Sequence, residues 1–368
     1  MGLRASVVIP THNRWEQLRL VLEAYGRQTV GADAFEVFVC DDASDDGTAA
    51  AVPAFAREVP YRLHYLRQEH KGAASARNLG IGAATAPVVV FTDDDCVPEP
   101  ALLERHLAST RAGVATIGRV QWHPSLPITP FMAFIGEYKF GYEQITDRQD
   151  APFRYFLTAN ASAWREDLLA AGGFDETFRR AHEDIELGYR LHRHGVRFVY
   201  DPEARILHLH AMTLSGTLRR QVGDGEEAAI ALSKHAELMT ILGLPSLRDP
   251  GSAQRFYRAA MDYAFVVGLQ GGLEERFGED WPAALDNFLA QYPGYTESLE
   301  HQLGQATEYA RRLERENAAL QRAHDDLAAH VGTLDVALRR ANPLKNRLRA
   351  LLARRVPPTS GAPEGQGA

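Results

Sequence analysis

Three acidic side chains in a row follow a short apolar segment of the chain. Asp93, Asp94 and Asp95 come directly after the run Val88–Phe91. Clustered carboxylates repel one another and raise each other's pKa, so the cluster is costly unless its charge is compensated. A divalent cation such as Mg²⁺ or Mn²⁺ would compensate it, and Asp93 and Asp95 point to the same side of an extended chain. The alternative is an acidic turn that caps a helix beginning near Glu99.

A second acidic turn, Asp41–Asp46, follows the apolar run Phe35–Cys40. It faintly resembles a calcium-binding loop, but Pro53 would occupy the last ligand position, where such loops need Glu. A carboxylate in this turn could instead accept hydrogen bonds from a nucleobase or from ribose hydroxyls. The alternative is turn and helix-cap chemistry, which Asp, Ser and Gly favour.

Three other motifs could contribute chemistry, and each also has an ordinary structural explanation. Arg77 lies in a predicted helix, where its guanidinium could contact phosphates or a base, or simply lie on the surface. Glu183 and Asp184 open another predicted helix, either as a carboxylate base or as acids favoured at a helix N-terminus. His208 and His210 stand two residues apart at a strand end, where both could face a metal. Partly buried histidines without a metal are the alternative.

Strand and helix signals alternate over the first half of the chain. Apolar β-branched runs predict strands, and apolar residues at helical spacing predict helices. The predicted strands are Ala5–Ile9, Phe35–Cys40, Tyr61–Leu66, Val88–Phe91, Val196–Tyr200 and Ile206–Leu209, and the predicted helices are Arg14–Tyr25, Thr48–Arg57, Ala73–Ala84 and Ile185–His194. This alternation predicts an α/β fold with a mostly parallel sheet sandwiched by helices. Ligands bind such sheets at the carboxyl ends of the strands, where the polar clusters fall.

A heptad pattern distinguishes the segment from Leu303 to Leu338, in which apolar positions alternate steps of three and four residues. This spacing predicts a coiled coil, and the alternative is a long amphipathic helix packed on its own domain. Asn317 falls at an a position, where a buried Asn typically fixes a parallel dimer, whereas His324 weakens the seam locally. We therefore expect a homodimer through residues 303–338.

The other C-terminal segments carry weaker signals. Residues 215–297 have a helical pattern without a familiar motif. Residues 343–356 form a basic amphipathic segment, which either adsorbs to anionic lipid or is a frayed helical end with a solvated basic face. Residues 357–368 have the composition of a disordered tail.

The overall composition excludes several classes of protein. The 368 residues include 40 Lys and Arg against 48 Asp and Glu, for a net charge of −8, which disfavours broad nucleic-acid binding. Cys40 and Cys96 are too few for a disulfide framework or a cysteine zinc site, which fits a reducing compartment. No stretch approaches the ~18 apolar residues of a spanning helix, and the N-terminus lacks a signal-peptide profile. We therefore expect a cytoplasmic protein, which could contact the inner face of the membrane.

The order of the motifs resembles glycosyltransferase family 2. The segments that carry the resemblance are, in chain order, Ser6–Arg14, Gln28-Thr29, Phe35–Thr48, Gly72–Asn78, Asp93–Asp95, Gly172–Asp175 and Glu183-Asp184. It extends over about residues 4–212, and it implies the Rossmann-like GT-A fold, a nucleotide-sugar donor, a divalent cation and inversion at the anomeric carbon. Two positions depart from the common pattern. Ala43 stands where Gly is more usual, which a negative φ would tolerate, and the acidic Asp94 is an occasional variant.

The resemblance also implies a role for each candidate residue. On the donor side, Pro10, Thr11 and Asp42 would line the nucleobase pocket with Asp41 beside them, Arg77 would lie near the base and phosphates, and Asp93 near the ribose with Asp94 next to it. Asp95 and His208 would bind the metal, with His210 as the rival of His208, and Asp184 would be the general base. Glu183 and Trp122 would lie on the acceptor side. Trp122 belongs to the aromatic-rich residues 120–160, which could equally form ordinary core.

These implications define the expected function. We expect a metal-dependent inverting glycosyltransferase that uses Mn²⁺ or Mg²⁺ and a UDP- or dTDP-sugar, acts on a glycan or lipid-linked acceptor, and contributes to cell-surface glycan synthesis. The alternative is a non-catalytic scaffold that carries a transferase-like domain on a coiled coil. A nucleotidyltransferase would need a Gly-rich loop after the first strand, where this chain has Pro10–Arg14. The expected domains are 1–214 (GT-A), 215–297 (helical extension), 298–341 (coiled coil), 342–356 (basic segment) and 357–368 (tail).

Overall fold

The computed structural model describes residues 2–239 of the chain. The strands are β1 (Ala5–Thr11), β2 (Phe35–Asp42), β3 (Arg62–Gln68), β4 (Val88–Thr92), β5 (Cys96–Pro98), β6 (Val114–Trp122), β7 (Asn160–Trp164) and β8 (Arg197–His208). The α-helices are α1 (Trp15–Tyr25), α2 (Thr48–Phe55), α3 (Ala73–Ala83), α4 (Leu102–Ser109), α5 (Pro130–Phe140), α6 (Arg165–Ala170), α7 (Glu183–Arg193) and α8 (Leu214–Lys234). The described part is therefore α/β, as the alternating pattern predicts.

The strands form one sheet in the order β3-β2-β1-β4-β7-β6-β8-β5. The β3-β2-β1-β4 half is parallel, and it contains the first four predicted strands. In the other half β7 is antiparallel to both its neighbours, β8 is parallel to β6, and β5 is antiparallel to β8. The sheet is thus mixed, and the predicted parallel pairing holds fully only in the first half.

One strand prediction is wrong, and it concerns β8. The sequence suggests separate strands at Val196–Tyr200 and Ile206–Leu209, but β8 runs through both as a single strand of 12 residues. The pairing register with β6 shifts between Gly118 and Arg119, where β8 accommodates its extra residues as a bulge. Pro202 lies in this irregular stretch, where the missing N–H of proline does not interrupt the ladder.

Helices cover both faces of the sheet, as predicted, and successive side chains of the central strands point alternately to the two faces. In β1, Val7 and Ile9 pack against α1, whereas Val8 packs in the cluster that includes α3. Helix α3 lies very close to the sheet because Gly80 has no side chain: a Cβ there would be 2.4 Å from a methyl group of Val8. This approach brings Arg77 of the same helix to the carboxyl ends of the strands.

Several predictions lie outside the described residues. They are the helical extension beyond Met239, the coiled coil at 303–338 with Asn317 and His324, the basic segment at 343–356 and the tail at 357–368. Within residues 2–239, no helix combines the length and apolar character needed to span a bilayer.

Candidate functional site

The polar clusters at the strand ends line a large cavity, which we call cavity A. Its volume is about 750 Å³, within the range of small-molecule sites. Of the residues singled out from the sequence, it is lined by Pro10, Thr11, Asp42, Arg77, Asp93, Asp94, Asp95, Glu183, His208 and His210. The first strands and α7, far apart in the chain, therefore meet at one site.

A second cavity, cavity B, adjoins the first and has a volume of about 610 Å³. Asp184 lies in its lining together with Tyr155 and Thr158. Both cavities are lined by Arg77, Asp93, Glu183, His208, Met212 and Arg220. Two ligands, one in each cavity, could therefore meet at this shared wall.

Asp42 and Asp41, at the end of β2, have different environments. The Asp42 carboxylate accepts hydrogen bonds from the Gln68 side chain at 2.8 Å and from the backbone N–H groups of Lys71 and Gly72 at 2.7 and 2.9 Å. Burial alone would raise the pKa of Asp42, but these hydrogen bonds hold it below its usual range, so the group is ionised. Asp41 instead accepts hydrogen bonds from the Ser44 N–H and the Tyr65 hydroxyl, and thereby holds the turn.

Arg77 connects the acidic strand end to the acidic helix start. Its Nη2 donates to Asp93 Oδ1 at 2.9 Å, and its Nη1 donates to Glu183 Oε1 at 2.8 Å. The Arg77 side chain is only 5% exposed. Two buried polar atoms of this group, Arg77 Nε and Glu183 Oε2, have no partner within the described residues. Such unpaired buried atoms are costly, and they fit a site that a polar ligand completes.

Asp94 points back toward the end of β1. It accepts a hydrogen bond from the Thr11 hydroxyl at 2.8 Å and lies 3.3 Å from Arg14 Nη1. Burial raises the pKa of Asp94 to about 7, although the Arg14 charge acts in the opposite direction. The same Arg14 nitrogen donates to Asp95 Oδ2 at 2.7 Å. Arg14 thus neutralises part of the acidic cluster, a role that no local sequence pattern indicates.

Asp95 and His208 are brought together by strand pairing. Cys96 of β5 is the pairing partner of His208, and the backbone N–H of Leu209 donates to the Asp95 carbonyl at 2.8 Å. His208 Nε2 lies 3.7 Å from Asp95 Oδ1, too long for a hydrogen bond. Two ligands at ~2.1 Å from one cation are at most ~4.2 Å apart, so this distance fits a shared divalent ion.

The third potential ligand in this cluster is less suitable. The Asp95, Cys96 and His208 ligand atoms all lie within 4.8 Å of one another. Burial, followed by the Asp95 charge, raises the pKa of the Cys96 thiol well above its usual value, which keeps it protonated. His208 Nδ1 is buried without a partner within the described residues, and His210, the rival ligand, has its ring centre 6.2 Å from that of His208.

Asp184 lies in the first turn of α7, directly after Glu183. Its carboxylate accepts a hydrogen bond from the Ile185 N–H at 2.8 Å. Burial, together with the negative charge of Glu183, raises the pKa of Asp184 to about 7, while the Arg77 charge opposes the shift. A carboxylate with this pKa can both accept and release a proton near neutral pH, which is what a general base needs.

Two residues lie in environments that the sequence did not indicate. Trp122 is not among the lining residues of either cavity. It packs edge-on against His208, with ring centres 5.5 Å apart, and donates to the Met132 carbonyl. Ala43 has φ = +66°, so the negative φ that would make alanine harmless does not occur. This conformation costs a non-glycine residue ~1–2 kcal/mol, and alanine therefore strains the turn.

Residues 6–165 match the family model described as Glycosyl transferase family 2. The comparisons support a family 2 glycosyltransferase domain. The chain is 31% identical over 236 residues to a validoxylamine A glucosyltransferase of Streptomyces hygroscopicus subsp. jinggangensis, covering 54% of each protein. It is 29% identical over 237 residues to a pre-mycofactocin glycosyltransferase of Mycobacterium tuberculosis, covering 63% of this chain and 48% of that protein.

The match therefore spans about half the length of these two relatives. Among solved structures, a mannosyltransferase of Pyrobaculum calidifontis in complex with GDP-Man and Mn²⁺ resembles the chain with a TM-score of 0.52 and 22% identity, covering 77% of this chain and 83% of that one. At this identity the likeness supports the GT-A-like fold alone.

Proposed function

We propose that this protein is an inverting glycosyltransferase that moves a sugar from a nucleotide diphosphate to a hydroxyl group of an acceptor. The observation that carries the proposal is the wall shared by the two cavities. Except for Asp41, the residues that the family resemblance assigns to the donor line cavity A, whereas Asp184 lines cavity B. A donor sugar at the shared wall would be open to attack by an acceptor that enters from cavity B.

The donor nucleotide would bind at the ends of β1 and β2. Pro10, Thr11 and Asp42 line this part of cavity A, and the ionised Asp42 carboxylate can accept hydrogen bonds from base N–H groups. We propose a UDP- or dTDP-sugar as the donor. The Pyrobaculum calidifontis structure, which contains GDP-Man, makes GDP-sugars the first alternative to test.

A divalent cation, Mn²⁺ or Mg²⁺, fits the donor atoms of Asp95 and His208. The 3.7 Å separation of His208 Nε2 from Asp95 Oδ1 supports this assignment, and Trp122 packs edge-on against the His208 ring. When bound, the cation would neutralise charge on the leaving nucleoside diphosphate. Arg14 and Arg77 keep the neighbouring carboxylates ion-paired.

Asp184 would act as the general base. It takes the proton of the acceptor hydroxyl while the hydroxyl oxygen forms a bond to the anomeric carbon, and the bond to the nucleoside diphosphate breaks. A single displacement of this kind inverts the anomeric configuration. Holding both substrates at the shared wall supplies much of the remaining acceleration.

The acceptor and the biological process belong to the same proposal. We propose a glycan or lipid-linked acceptor in cell-surface glycan synthesis. The two relatives are named for validoxylamine A and pre-mycofactocin, which adds these compounds to the acceptors worth testing. The alternative, a non-catalytic scaffold, is disfavoured by the retained carboxylates of Asp93, Asp95 and Asp184.

The test is a thermal-shift screen of UDP-, dTDP-, GDP- and CMP-sugars, each with Mn²⁺ and then with EDTA. A ligand that binds the native state raises the melting temperature, so the donor should give a shift that EDTA removes. The matched control replaces the exposed Asp33 by Asn, which should leave the shift unchanged. No shift with any of the nucleotide sugars would contradict the proposal and favour the scaffold.

A further inference from the structure

Helix α8 contacts the loop before α7 along one of its faces. Its contact residues are Asp224, Glu227, Ala231 and Lys234, which follow one another at helical steps of three and four residues. Along the loop, in the reverse order of the chain, their partners are respectively His182, the segment 179–181, Phe178 and Asp175. The helix and the loop, which we call the 175–182 loop, therefore run side by side with one contact at each helical turn.

Glu227 makes the most specific of these contacts. Its carboxylate accepts backbone hydrogen bonds from three successive residues: Arg179 at 3.1 Å, Arg180 at 3.0 Å and Ala181 at 2.9 Å. Glu227 is only 7% exposed. Bonds from N–H groups to a buried carboxylate are charge-assisted and roughly twice as strong as those between neutral groups. Glu227 therefore fixes the path of the loop through three peptide groups at once.

The loop leads directly into the acidic start of α7. His182, the residue before the helix, has φ = +67°, and its Nε2 lies 2.9 Å from the Asp224 carbonyl oxygen of α8. A left-handed conformation at a non-glycine residue persists when its surroundings hold it. The next two residues are Glu183 and Asp184. The position of Asp184 thus depends on contacts that α8 provides.

We infer that α8 is a positioning element for the general base, and that Glu227 is the positioning residue through which it acts. The inference rests on the proposed function, because it concerns the placement of Asp184. Glu227 lines neither cavity and acts only through the backbone of residues 179–181. Helices α7 and α8 both lie outside the matched family segment, residues 6–165.

The first test uses hydrogen–deuterium exchange of the full chain without any substrate. Glu227→Ala should accelerate exchange at the amides of residues 179–181 at least tenfold, and Glu227→Gln, which keeps an acceptor of the same shape, should give a smaller increase. The neighbouring Glu226 is exposed and supplies the matched control, Glu226→Ala, with no change at these amides. Unchanged exchange in Glu227→Ala would overturn the inference.

The second test separates positioning from general stability. With the donor found in the screen, Glu227→Ala should lower kcat at least tenfold, leave the donor KM within twofold, and recover partly in Glu227→Gln. A kcat equal to that of the wild type would overturn the inference, even if the melting temperature falls. If the wild type transfers no sugar, the proposed function fails, and the exchange experiment still decides whether Glu227 holds the loop.

Discussion

Arg77 and Glu183 form a buried ion pair at 2.8 Å across 106 positions of the chain. Because the other terminal nitrogen of Arg77 donates to Asp93, one guanidinium connects the end of β4 to the start of α7. This arrangement explains how cavities A and B share a wall. It also places a fixed positive charge beside the carboxylate pair that contains Asp184.

Removing the Arg77 charge should destabilise the protein and damage the site. Arg77→Met removes the partner of the half-buried Asp93 and leaves Glu183 buried without its partner, and breaking a buried pair from one side costs ~3–5 kcal/mol. Arg77→Lys keeps the charge but loses the two-pronged geometry, so its effect should be intermediate. Urea denaturation measures the change, with the exposed Arg57→Met as control. Equal stability of Arg77→Met and the wild type would show that the pair contributes nothing.

The raised pKa of Asp184 predicts an acidic limb in the pH profile. The base is effective only when ionised, so kcat should fall as pH decreases through about 7. The folded state also holds this proton more tightly than the unfolded state does. Stability from this group is therefore present at low pH and lost as pH rises through about 7. A kcat that stays constant from pH 8 to pH 5 would contradict the assignment.

The cation site should depend on Asp95 and His208 and not on Cys96. We expect Asp95→Asn and His208→Ala each to weaken Mn²⁺ binding at least tenfold, because each removes one ligand of the ion. Cys96→Ser is the matched control, because Cys96 lies beside Asp95 and His208 but is not proposed as a ligand of the cation. This variant should bind Mn²⁺ within threefold of the wild type. Isothermal titration of each full-length variant with Mn²⁺ gives the comparison. Loss of binding in Cys96→Ser alone would reassign the site.

Ala43 offers a prediction about stability that is independent of activity. Ala43→Gly should stabilise the protein by ~0.5–1 kcal/mol, because glycine relieves the ~1–2 kcal/mol cost of φ = +66° and loses part of that gain to its greater freedom in the unfolded chain. The same substitution at Ala50, exposed within α2, should destabilise by about 1 kcal/mol. Melting temperatures that shift in opposite directions would confirm the strain, and a decrease in both variants would contradict it.

The sequence alone was enough to predict the strands that have a clear local pattern of apolar residues. The β-branched runs at Ala5–Ile9 and Val88–Phe91 predict strands that the structure confirms, since these segments are buried on both faces. Strand β7, with the sequence NASAW, was not predicted because its small residues carry no strand signal. The antiparallel pairings of β7 with β4 and β6 were missed with it, whereas both parts of β8 were predicted as strands.

Part of the site could be proposed from the sequence, because some of its residues follow predicted strands and others lie in predicted helices, as Arg77 and Asp184 do. Asp42, Asp93 and Asp95 could be proposed from such positions, together with a family resemblance. Arg14 and Glu227 could not, because their partners lie far away in the chain and no local pattern indicates them. The adjacency of Asp95 and His208 likewise follows from the pairing of β5 with β8, which depends on the whole fold.

The most direct test of the account is the Asp184→Asn variant, measured for both donor binding and transfer with the nucleotide sugar that gives the thermal shift. Asn keeps the shape of the side chain but cannot take a proton, and loss of a general base typically costs ~10²–10⁴-fold in rate. We expect kcat to fall at least a hundredfold while donor affinity stays within a few-fold. Transfer at the wild-type rate would contradict the role of Asp184 as the base. So would a loss of donor binding that accounts for the loss of activity.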